Sequence, residues 1–152
     1  MKGTSTFCVI RYNDIPRDKL FDICHTRVVC EYRPEKDEPN RTRITLAGRH
    51  ICVPYDVSTP TGSLELIKMM INSVLSRQNS KVAAFDVKNF YLDTPMGNPE
   101  YVQVQLKDIP QEFIGEYNLR VHDRIGCVYF EVVCGCYGLP QAGKLAHDLF
   151  SE

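Results

Sequence analysis

The fold turns on the stretch Lys81-Val82-Ala83-Ala84-Phe85-Asp86-Val87-Lys88-Asn89-Phe90-Tyr91-Leu92. Lys81 to Val87 is a short apolar run carrying a carboxylate near its end, which is the pattern of a buried strand. A carboxylate there is costly unless something positive pairs with it. Asp86 is therefore a candidate for holding a cation, although taken alone it reads as an ordinary turn or helix-capping aspartate.

Upstream, Thr59-Pro60-Thr61-Gly62-Ser63 supplies capping residues. Leu64, Ile67, Ile71, Val74 and Leu75 then recur at helical spacing, with Leu66 and Met70 widening the stripe. A helix is expected from there to about Arg77-Gln78-Asn79, its apolar face packed into the core. Further upstream, Arg27–Arg33 (RVVCEYR) and Arg41–Ala47 (RTRITLA) are β-type runs around the polar loop Pro34-Glu35-Lys36-Asp37-Glu38-Pro39-Asn40. They predict a hairpin broken by Gly48. Residues 1–27 show weak periodicity and a turn-like Asn13-Asp14-Ile15-Pro16, and read as an irregular lead-in to a domain over 28–152.

Downstream, Tyr101–Leu106 (YVQVQL) and Cys127–Cys134 (CVYFEVVC) predict strands. Pro110 opens a short helix through Tyr117, and Gly138-Leu139-Pro140 starts a final one. The expected fold class is α+β, a mainly antiparallel sheet with helices packed on one side.

The chain has 152 residues, 43% hydrophobic and 24% charged, which suits one soluble domain with a modest core. No apolar run approaches the roughly 20 residues of a membrane helix, and Met1–Thr6 is not followed by a secretory pattern. An intracellular protein, cytoplasmic or nuclear and without a membrane partner, is the expectation. Seven cysteines without a C-x-x-C pair read as small apolar residues, not as a zinc or disulfide framework. The net charge of -1 hides an asymmetry. Arg41 to His50 holds three arginines and a histidine without an acid, whereas Asp86, Asp93, Glu100, Asp108, Glu112 and Glu116 outnumber Lys88 and Lys107. Such blocks suit phosphate and metal contacts, or simply two solvated faces.

A second motif changes the weight of the first. Cys136-Tyr137-Gly138-Leu139-Pro140-Gln141-Ala142-Gly143 follows about fifty positions after Asp86-Val87-Lys88-x-x-Tyr91-Leu92. In this order and spacing the pair resembles the reverse transcriptase family, in particular the copia-type branch of LTR retrotransposons. There, D-V-K-x-x-[FY]-L and Y-G-L-x-Q-A are successive landmarks of the palm. The resemblance spans about residues 28 to 150 and implies a partial fingers and palm domain.

It also implies roles for individual residues. Asp86 corresponds to the first catalytic, Mg²⁺-binding carboxylate, and the Val87 carbonyl to a further metal ligand. Tyr91 matches the aromatic under the nucleotide sugar that leaves no room for a 2′-hydroxyl, and Gln141 a residue beside the nascent base pair. Lys36 and Arg43 have the spacing of the family's triphosphate-binding pair, although Lys36 reads equally as a solvated loop lysine. Arg49 falls at a template-binding position. The implied partners are an RNA or DNA template-primer and a deoxynucleoside triphosphate.

The sequence also departs from the family. Phe90 stands where many relatives carry a small residue, and Pro140 and Gly143 replace residues common in the copia-type branch. No Asp-Asp pair, the family's second motif of catalytic carboxylates, occurs in these residues. Two-metal phosphoryl transfer needs several carboxylates, so the resemblance implies a chain inactive by itself, and dependent on further palm, thumb and RNase H segments. The alternative is a non-catalytic nucleic-acid-binding or domesticated module of the same descent, with Tyr101, Tyr129 and Phe130 stacking on bases.

Overall fold

The computed structural model describes residues 6–60, 62–84, 87 and 89–151. Alternation in the CVYFEVVC run builds an interior strand of its sheet, β5. Five strands form one sheet: β1 (Phe7–Ile10), β2 (Cys24–Tyr32), β3 (Asn40–Leu46), β4 (Pro95–Gln105) and β5 (Cys127–Cys134). Their order is β1-β5-β4-β2-β3. β5 pairs antiparallel with β1 (Ile10 opposite Tyr129) and with β4 (Val102 opposite Phe130). β4 meets β2 in parallel through Cys24 and His25, and β2 turns back antiparallel into β3. The sheet is thus mixed but mainly antiparallel, and the fold is α+β.

The β2–β3 hairpin follows the two runs expected to form it, with Arg33 N–H donating to the Pro39 carbonyl at 2.7 Å across the loop. Only its base, at Cys24 and His25, pairs with β4. Val28, Tyr32 and Ile44 are exposed, so the distal hairpin stands free as an arm. Its base is anchored by Leu46, whose N–H donates to the Tyr137 carbonyl at 2.7 Å.

Four helices are found among the described residues: α1 (Leu64–Leu75), α2 (Phe90–Asp93), α3 (Gln111–Glu116) and α4 (Ala142–Ser151). Leu92 of α2 and Ala142 of α4 share an apolar cluster with Val102 and Val132, while Ile114 of α3 packs with Val128. These alternate residues of β4 and β5 define one sheet face. Val102, Val128 and Val132 are fully buried there, each worth roughly 1.5–3 kcal/mol in transfer from water. Tyr101 and Tyr129 point to the opposite face, where Ile15 covers them with Tyr12, Leu20 and Ile23.

Three expectations need correction. Residues 1–27 are not irregular throughout, because Phe7–Ile10 is a sheet strand and Ile15 closes the second face. The α1 helix starts where expected, with Ser63 accepting the Leu66 N–H at 3.2 Å, and ends at Leu75, short of Arg77, but its apolar stripe is not core. Leu64, Ile67, Met70, Ile71 and Leu75 are all exposed, because no described element packs over them. Finally, residues 81–84 are irregular and exposed instead of forming a buried strand. A buried strand requires a ladder partner, and among the described residues none lies beside them. Phe85, Asp86 and Lys88 lie outside the described residues. No described helix is long and apolar enough to cross a membrane.

Candidate functional site

The two sequence motifs meet. Asn89 adopts the left-handed conformation (φ 59°), which asparagine tolerates, and starts the single turn of α2. Leu92 anchors that turn in the core, and Thr94 Oγ1 donates to the Phe90 carbonyl at 2.8 Å to close it. Just ahead of the other motif, Gly135 N–H donates to the Thr94 carbonyl at 2.7 Å. A Cβ at Gly135 would stand 2.6 Å from the Tyr91 carbonyl oxygen, so the segments touch backbone to backbone. Tyr91 meets Tyr137 edge to face, ring centroids 5.4 Å apart.

Between them opens a cleft of about 490 Å³. Its walls include Val87, Phe90, Tyr91, Tyr137, Gly143 and His147. Phe150 of α4 sets its ring edgewise to Phe90 with centroids 6.1 Å apart, forming an aromatic side wall. Cys136 lies buried beside Tyr137; burial pushes its thiol up to about 11, against a hydrogen bond from the Tyr137 backbone. It is therefore a neutral packing group at physiological pH and not a nucleophile.

Of the residues singled out by resemblance, Val87 and Tyr91 line this cleft. Gln141 does not. It is buried, and its Nε2 donates to Glu100 Oε1 at 3.1 Å, while the other Glu100 oxygen takes Lys19 Nζ at 3.1 Å. A carboxylate accepts only, so the amide nitrogen must face Glu100; Gln141 Oε1 is left buried without a partner. Glu100 thus belongs to an internal polar chain and not to a solvated acidic patch. The pattern Glu100-x-Val102-x-Val104 places it in phase with one buried and one half-buried valine, a signal available in the sequence.

The hairpin residues stand elsewhere. Lys36 is exposed in the loop, and Arg43 is engaged by Glu31 at 3.3 Å across the strands. Neither lines the cleft. Arg49 is exposed on the 3₁₀ turn Gly48–His50. That turn docks on the second motif, since a Cβ at Gly48 would lie 2.8 Å from the Gly138 carbonyl oxygen. Tyr101 and Tyr129 are buried and Phe130 packs against the core, so these rings are not a base-stacking platform.

Asp86 lies outside the described residues, and among those described no group of three or more His, Cys, Asp or Glu could hold a metal ion. Comparison with protein families, curated proteins and solved structures returns no match for this chain.

Proposed function

We propose that this chain is the fingers and first part of the palm of an RNA-directed DNA polymerase, a reverse transcriptase of the copia-type retrotransposon class. The observation that carries the proposal is the junction of the two motifs: Tyr91 against Tyr137, with Gly135 bonded to Thr94, around one open cleft. Segments far apart in sequence are thereby assembled on the rim of a sheet, as a nucleotide pocket requires. In this reading Tyr91 is the floor under the incoming sugar and excludes a 2′-hydroxyl by contact. Arg49, carried on a turn fixed to the second motif, faces the template. Lys36 and Arg43 are on the free arm, so the triphosphate is gripped only when that arm folds over the cleft and Arg43 leaves Glu31. Gln141 acts from beneath, as a buried brace for the 138–142 turn.

Mg²⁺-dependent nucleotidyl transfer is the chemistry of the class. By the resemblance, Asp86 and the Val87 carbonyl would hold the metal, and Asp86 alone would leave that site incomplete. These 152 residues are consequently inactive by themselves. The test joins this chain to a palm segment bearing Tyr-x-Asp-Asp and compares deoxy- with ribonucleotide incorporation. The joined protein prefers deoxynucleotides, and Tyr91→Ala reduces that preference at least tenfold. Equal preference in the two proteins would remove Tyr91 from the sugar pocket and the proposal with it.

A further inference from the structure

A second concavity, of about 300 Å³, lies at the opposite end of β5. It forms where the chain leaves β1 through Arg11, Tyr12 and Asn13 and approaches β5 through His122, Asp123 and Arg124. Because β1 and β5 run antiparallel, the exit of one adjoins the entrance of the other. The eight residues of β5, at about 3.3 Å each, separate it from the Tyr137 end of the strand by roughly 25 Å. It is a different place from the cleft.

The groups there are prepared for an anion. The Arg124 guanidinium lies over the Tyr12 ring, 3.4 Å from its centroid. Tyr12 is in turn held edgewise by buried Tyr129, with centroids 5.1 Å apart. Stacking uses the flat face of a guanidinium and leaves its N–H edge free to donate. Arg11 enters from the end of β1, and among the described residues neither arginine forms an ion pair. His122 Nδ1 is buried without a hydrogen-bond partner, a condition that native structures rarely leave unmet. The one acid in the lining, Asp123, turns its Oδ1 to the Gly126 N–H at 2.7 Å, and two arginines outweigh it.

We propose that this concavity binds a phosphate group. Two guanidinium forks with an imidazole and the Asn13 amide offer more donors than a carboxylate can accept, and match the several oxygens of a phosphate. The inference is independent of the polymerase reading. The phosphate can belong to a small molecule or to a nucleic-acid backbone, and two probes separate these sources. The full chain is titrated with inorganic phosphate and, separately, with an eight-residue single-stranded oligodeoxynucleotide lacking terminal phosphates, following the Arg11 and Arg124 side-chain Nε–H resonances. A saturable shift with phosphate alone identifies a small phosphate ligand, and one with the oligonucleotide identifies a strand backbone. Arg11→Gln and Arg124→Gln each weaken binding at least tenfold, whereas Arg77→Gln, which removes the same charge from an exposed position outside the lining, changes it less than twofold. Arg11→Gln leaves the Tyr12 stack intact and so reports on binding even where Arg124→Gln disturbs the fold. No saturable shift with either probe, or equal weakening by Arg77→Gln, overturns the proposal.

Discussion

Replacing Gly138 by alanine should be the most damaging small substitution in the chain. Two separate costs meet at that position. Its φ is +98°, where an L residue is strained by about 1–2 kcal/mol. Its missing Cβ would also fall 2.0 Å from the Leu46 carbonyl oxygen, which is backbone and cannot swing aside. Relief requires the hairpin base to retreat, breaking the 2.7 Å bond from Leu46 N–H to the Tyr137 carbonyl and loosening buried Leu46. The lost hydrogen bond adds about 1 kcal/mol and the disturbed packing a similar amount or more. The sum is roughly 4 kcal/mol, a large part of the 5–15 kcal/mol that holds an ordinary domain together. Two other glycines separate the causes. Gly126 shares the positive φ (+74°) but faces open space, so Gly126→Ala should cost only about 1–2 kcal/mol. Gly135 has the collision without the positive φ, and its alanine variant should fall between them. Urea unfolding followed by far-ultraviolet circular dichroism and tyrosine emission measures all three. If Gly138→Ala costs no more than Gly126→Ala, the backbone contact between hairpin and motif does not exist in solution.

Other consequences are as concrete. Lys19→Ala strands the buried Glu100 carboxylate and should destabilise the chain by about 2–4 kcal/mol in the same urea assay. A cost below about 0.5 kcal/mol would mean that the ion pair is solvated. At pH 8, exposed Cys8, Cys30 and Cys52 should react quickly with a thiol reagent, while Cys24 and Cys136 stay protonated and react only after unfolding. Burial raises the Cys24 and Cys136 thiols from 9.0 to about 11, so the folded state binds protons more tightly than the unfolded one. Stability should consequently decline as pH rises from 9 towards 11, and Cys24→Ala should flatten that decline; a slope unchanged by the substitution would exclude the thiol as its source. Changing Ile67, Met70 and Ile71 together to glutamine should alter stability by less than about 1 kcal/mol while lowering binding of an apolar dye, because none of the three is buried. A large loss of stability would show instead that this face is covered.

Local pattern made some elements legible and left others hidden. The bounds of β5 coincide with CVYFEVVC, and α1 begins where Ser63 caps it, since alternation and capping are written into neighbouring residues. β1 was not legible: Phe7-Cys8-Val9-Ile10 is a short apolar run whose strand character comes from pairing with β5 far along the chain. Helical periodicity identified the apolar face of α1 but carries no information about what covers it. The strand expected at Lys81 failed for the related reason that an apolar run does not guarantee a ladder partner. At the candidate site, the order of the two motifs singled out Tyr91 and Tyr137 but carried no information that the two rings meet. It could not reveal that Gln141 turns inward to Glu100, because that contact depends on Lys19 arriving from the N-terminal segment.

RNA-templated primer extension by this chain, joined to a palm segment that supplies Tyr-x-Asp-Asp, bears most directly on the polymerase proposal. The joined protein should extend a primer with Mg²⁺ and deoxynucleotides, Asp86→Asn should reduce the rate at least a thousandfold, and the 152 residues alone should give no product. Extension by the isolated chain, or extension by the joined protein that is indifferent to Asp86→Asn, would contradict it.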